Sequence, residues 1–239
     1  MRFEQTRLAA VTHLLPEREV TSEALEERLA PVYDRLRLRV GRLELMTGIR
    51  ARRFWEPGTR PSEVAARAGA EALERSGVPR DRLGLLIHAS VCRDFLEPAT
   101  ATVVHARLGL PPDCAAFDLS NACLGFVHAM TLAAGQIERG DIEAALIVAG
   151  EDGGPLVEAT LADLLDREDL DRAAIKPAFA SLTIGAGAAA GRGRKLTATP
   201  PKGALTCPST EVPAPKGMTG TPWAAQSLTM RATSAVSWG

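Results

Sequence analysis

The segment Phe117-Asp118-Leu119-Ser120-Asn121-Ala122-Cys123-Leu124-Gly125-Phe126 places a cysteine where a strand-like run hands over to a long helical pattern. A helix N-terminus presents backbone N–H groups without intrahelical partners and a partial positive charge, and both stabilise a thiolate. Such a thiolate can attack a thioester, and neighbouring N–H groups can receive the oxyanion that forms. On spacing alone a small buried hydrophobe in a core turn is the simpler reading of Cys123, so more specific evidence must tip the balance. Asp118 and Asn121 are placed to steady this turn through side-chain-to-backbone hydrogen bonds, a structural role.

Glu97 precedes Pro98 at a predicted helix start, where an acid ordinarily complements the helix dipole. His128 lies five residues beyond Cys123, more than one helical turn away, and reads as a structural or surface histidine rather than a catalytic partner. Arg50, Arg52 and Arg53 could meet a phosphate or form a solvated loop, and the sequence leaves them unassigned. Cys92, Cys114, Cys123 and Cys207 have no CxxC spacing. Bringing them together with His88, His105 or His128 would require convergence from separate elements, so no metal site is expected.

These residues need elements to position them. Arg7 to Leu14 reads as an opening strand, and Thr21 or Ser22 caps a helical stretch running to about Leu38, with Pro31 starting a second piece. A helix begins at Pro61 and stops at Gly77, and the apolar run Leu83 to Val91 suits a strand buried on both faces. The alternation continues with helix Pro98 to Leu108, strand Cys114 to Leu119, helix Ala122 to Arg139 closed by Gly140, and strand Ala144 to Ala149. Further helices are expected over Leu156 to Leu165 and Glu168 to Ile175, then a small-residue strand over Ala180 to Ala190. Strands alternating with helices imply parallel pairing and an α/β layered fold.

Of 239 residues, 46% are apolar and 24% charged, enough for a sizeable core, and the net charge of −1 gives no field to attract nucleic acid. The chain shows no secretory leader and no apolar stretch of membrane-spanning length, so a reduced cytoplasmic compartment is the simplest setting. After about Gly191 the composition shifts to Thr, Ala, Pro and Gly. Of the 28 basic and 29 acidic residues, six and one fall after residue 190, so the balance changes from −6 to +5. We therefore expect a folded region over 1–190 and a disordered low-complexity tail over 191–239, consistent with a truncated or frame-shifted gene.

Four ordered segments resemble the 3-oxoacyl-ACP synthase III family of the thiolase superfamily: Thr47 to Arg53, Ala89 to Thr100, Asn121 to Phe126, and Gly185 to Ala189. Within it they look most like the OleA type, which joins two fatty acyl-CoA chains head to head. The resemblance covers about residues 1–190. It implies the N-terminal half of a thiolase-like α/β/α/β/α fold, a homodimer, acyl-CoA or acyl carrier protein thioesters as substrates, and no permanently bound cofactor. It places Cys123 on the family's nucleophile. Glu97 falls where the OleA type has a glutamate that enters the partner subunit's pocket and acts as base on the second acyl chain. A carboxylate desolvated by acyl chains is a stronger base, which fits that role. The family completes its site with a histidine and an asparagine from the second half. Here His128 is the last histidine and Asn121 the only asparagine. The expected activity is a Claisen condensation through an acyl-cysteine, catalytically incomplete as the chain stands. An inactive dimerisation fragment and a cysteine thioesterase-like hydrolase are the alternatives.

Overall fold

The computed structural model describes residues 2–196. Seven strands and eight helices occur there: β1 Thr6–Leu14, β2 Arg18–Thr21, α1 Ser22–Arg28, α2 Ala30–Leu36, α3 Arg42–Thr47, β3 Ala51–Phe54, α4 Pro61–Ser76, β4 Leu83–His88, α5 Thr100–Leu108, β5 Ala115–Asp118, α6 Gly125–Arg139, β6 Ala144–Asp152, α7 Gly154–Asp166, α8 Ile175–Leu182 and β7 Ala186–Lys195. Five strands form one sheet in the order β1-β7-β6-β4-β5, and β2 pairs with β3 separately. β4 is parallel to both β5 and β6, whereas β7 runs antiparallel between β6 and β1.

The period of two along the central strands sorts their side chains onto opposite faces. Leu86, Leu146 and Val148 face α4 and α5, against Val64, Ala65, Ala68, Ala72 and Val104. Leu85, Ile87, Ala145 and Ile147 face α6, against Ala129, Ala133 and Ile137. The described residues thus build an α/β/α sandwich, with a third cluster under α1, α2, α3, α7 and α8. No described helix is long and apolar enough to cross a membrane.

The local signals for helix ends are used largely as expected. The Thr21 hydroxyl accepts the Ala24 N–H at 3.0 Å and caps α1, and Gly77 and Gly140 end α4 and α6 with φ of 61° and 81°. Two expected elements need correcting. Asp171 accepts the N–H groups of Ala173 and Ala174 at 2.8 and 2.7 Å, so the stretch before Ile175 is a turn rather than a helix. Residues 180–182 close α8, because Ile175, Phe179 and Leu182 fall on one helical face and join the third cluster. Arg52, which the sequence leaves unassigned, lies buried in β3 and donates to the Val20 carbonyl and the Ser22 hydroxyl.

β7 is squeezed between helices, and its small residues reflect that. A Cβ at Gly191 would stand 3.4 Å from the Phe126 ring, and one at Gly193 would stand 3.5 Å from Ile137. Strand pairing continues past residue 190 to Lys195, where Lys195 lies opposite Thr6. Arg192 is fully buried there and donates to Ser76 Oγ and to the carbonyls of Val78 and Pro79 at 3.0, 2.7 and 3.1 Å. Burial pushes its guanidinium down to about 10. It closes the carboxyl end of α4, where a cation also complements the dipole. Residues 197–239, most of the expected tail, lie outside the described residues.

One contact sets how closely α4 approaches the sheet. At Gly150 of β6 an added Cβ would collide with the Pro61 carbonyl at the start of α4. Gly150→Ala is therefore expected to lower unfolding free energy by about 2–3 kcal/mol, measured by urea denaturation.

Candidate active site

β4, β5 and β6 end at the same edge of the sheet. The chain leaves β4 to form β5 on one side and then crosses to β6 on the other, making a topological switch point, the usual place for a site in such sheets. The loop over residues 89–99 leaves β4, and the turn over residues 119–124 leaves β5.

Cys123 sits in a single 3₁₀ turn, Ala122–Leu124, directly before α6, and is exposed. Ala122 has φ of 43°, a left-handed conformation that costs a residue with a Cβ about 1 kcal/mol or more. The Leu124 N–H donates to the Asn121 carbonyl at 3.0 Å, and the Leu119 N–H donates to the His88 carbonyl at 2.9 Å, tying the turn to β4. The N-terminus of α6 has no side-chain cap and no acid in its first turn. The Leu124 and Gly125 N–H groups are taken by the Asn121 and Ala122 carbonyls, and no side-chain acid stands at the start of α6 to oppose a thiolate or oxyanion beside Cys123.

Asp118 and Asn121 do not hold this turn by the bonds expected of them. The Asp118 carboxylate accepts the N–H groups of Thr100 and Ala101 at 2.9 and 2.7 Å, capping α5 instead. The Asn121 amide pairs with Nδ1 of His128 at 2.6 Å, so His128 acts one step behind the turn. Arg50 is exposed and Arg53 donates to Pro16, Glu17 and Glu19, so neither faces Cys123 by any recorded bond.

Glu97 is exposed at the tip of the 89–99 loop, between Leu96, 86% exposed, and Pro98. No recorded hydrogen bond joins it to Cys123; the two occupy adjacent loops at one sheet edge. The stem of the loop is held firmly. Ser90 Oγ accepts the Gly150 N–H at 2.8 Å, and Asp94 accepts the Ser62 N–H and hydroxyl at 2.9 and 2.5 Å. Glu151 accepts the N–H groups of Val91 and Cys92. Sequence reasoning missed Ser62, His88, Asp94 and Glu151. The acidic pair Glu151-Asp152 that ends β6 was a usable signal, because acidic side chains readily bind nearby loop N–H groups.

His88, the last residue of β4, is fully buried, and neither ring nitrogen has a hydrogen-bond partner. Nδ1 stands 3.6 Å from Asp118 Oδ1. Burial lowers its pKa, while Asp118, Glu151 and Asp94 pull the other way and Arg93 adds to the lowering.

Residues 117–191 match the family model of 3-oxoacyl-[acyl-carrier-protein] synthase III. The chain is 39% identical over 190 residues to an acyl-CoA:acyl-CoA alkyltransferase of Xanthomonas campestris, covering 80% of this chain and 56% of the relative. It is 36% identical to the enzyme of that name from Shewanella oneidensis, covering 80% and 54%. Residues 117–191 are thus similar to a 3-oxoacyl-ACP synthase III domain. The chain's thiolase-like fold superposes on crystal structures of Xanthomonas campestris OleA. The cerulenin-bound co-crystal gives a TM-score of 0.77 at 38% identity, covering 81% of this chain and 57% of that one. The acetamide-bound form gives 0.78 at 38% identity, covering 82% and 60%. The chain thus spans about half the length of the curated relatives it matches. The family match begins at β5 and runs through the Cys123 turn, α6 and β6 into β7.

The buried imidazole makes a pH prediction. Because the folded pKa of His88 lies below the ordinary 6.5, its neutral form contributes stability that is complete above 6.5 and is lost as pH falls from there toward the folded value. Urea midpoints measured from about pH 7.5 to about pH 5 should therefore decline, and His88→Gln should flatten that decline.

Proposed function

We propose that this chain takes an acyl group from an acyl-CoA or acyl carrier protein thioester onto Cys123, as the first step of an OleA-like Claisen condensation. One observation carries the reading. An exposed cysteine stands at the uncapped start of α6, in a domain akin to acyl-CoA:acyl-CoA alkyltransferases. The Cys123 thiolate attacks the thioester carbonyl, and the N–H groups at the start of α6 stabilise the oxyanion. Collapse of the tetrahedral intermediate expels the CoA thiolate, which takes up a proton, and leaves an acyl-cysteine. No resident cofactor is needed for this transfer.

In the same reading the protein is a cytoplasmic homodimer, and Glu97 acts in the partner subunit's pocket as base on the second acyl chain. Its exposure at a loop tip supports presentation outward from its own subunit. We confine the proposed activity to acyl capture, the step that Cys123 itself performs.

Incubation with a long-chain acyl-CoA should add one acyl mass to the intact protein, and Cys123→Ala should abolish the gain. No gain on wild type, or an equal gain on Cys123→Ala, would sink the proposal. Steady release of free acid that depends on Cys123 would indicate the hydrolase reading instead.

A further inference from the structure

We infer that Glu151 is a positioning residue for Glu97, an inference that rests on the role proposed for that carboxylate. The structural argument starts from where the 89–99 loop is attached. Glu151 is the penultimate residue of β6, and its two oxygens accept the Val91 and Cys92 N–H groups at 2.9 and 3.2 Å. Both amides belong to the stem of the loop, sixty residues away in sequence, and Glu151 is their recorded acceptor. Charge-assisted bonds of this kind are roughly twice as strong as neutral ones.

The adjoining residue repeats the attachment. Cys92 Sγ donates to the Asp152 carbonyl at 3.4 Å and accepts the Asp152 N–H at 3.3 Å, so the loop stem is stitched across the end of β6 by two successive residues. Glu151 is itself oriented, because its carbonyl accepts Nε1 of Trp55 at 3.1 Å. Farther along, Asp94 binds Ser62, and its N–H donates to Thr100 Oγ1 at 3.1 Å. Arg60 lies over the Phe95 ring at 5.6 Å, and beyond it the exposed tip over residues 96–98, which holds Glu97, has no recorded side-chain hydrogen bond. Releasing the stem frees the tip, which ordinary loop entropy would then spread over many positions.

Cysteine labelling reads this directly. Cys92 is part-buried in the stitched stem, Cys114 is buried in the core beneath α4, and both thiols are pushed up to about 11 mainly by burial. Iodoacetamide labelling of each cysteine, followed by peptide mass spectrometry, should show Cys92 slow in wild type. Glu151→Ala should raise the Cys92 rate about tenfold or more while Cys114 stays unchanged. Amide exchange in the 91–99 peptide should rise with it.

Glu151→Gln separates the bonds from the charge. It removes the negative charge that opposes the Cys92 thiolate but keeps one carbonyl acceptor for the two amides, so it should restore part of the protection. Equal labelling in the Gln and Ala variants would assign the effect to charge alone and overturn the inference. So would a parallel rise at Cys114, which reports global loosening, or no change at Cys92. Acyl capture at Cys123 is followed separately in wild type. Its absence would remove the proposed activity while leaving the labelling order to judge the loop.

Discussion

Parallel pairing on both sides of β4 is the constraint on which the rest of the structure depends. Because β5 and β6 run in the same direction as β4, all three strands finish at one edge, and the loops leaving them must share that edge. The Cys123 turn, the Glu97 loop and the Glu151–Asp152 strand end are neighbours for this reason, although they span more than fifty residues of sequence. The side chains that make this pairing stable are ordinary aliphatics alternating between α4 and α6.

At that edge the backbone donors are divided unequally. The start of α5 is taken up by Asp118, Ser62 near the start of α4 by Asp94, and the Val91 and Cys92 amides by Glu151. The start of α6 has no such acid. A carboxylate there would compete with an incoming oxyanion and repel a thiolate, so its absence suits an anion arriving with the substrate. The same carboxylates surround the His88 imidazole, which makes the stability of this edge responsive to pH while Cys123 itself stays at the surface.

Much of this was legible from sequence where a local rule applied. The apolar run at Leu83, the Pro61 start and Gly77 stop of α4, and the Gly140 stop of α6 each follow from backbone stereochemistry acting within a few residues. Legibility failed where side chains compete over distance. Asp118 was expected to serve the turn next to it but serves α5, because a carboxylate binds whichever N–H groups the fold brings within reach. Arg192 looked like the first residues of a solvated tail, yet the strand carries it under α4, where three acceptors hold it. Composition cannot reveal acceptors supplied by another element.

By itself, the sequence determined the alternating α/β pattern, the family resemblance and the cysteine placed at a strand-to-helix handover, since each depends on residue order over short spans. Tertiary structure alone decided that the start of α6 is left uncapped, that His88 is buried without partners, and that Glu151 holds the loop bearing Glu97. Those outcomes rest on contacts between segments far apart in the chain, whose distances are set only when the strands pair and the helices close over them.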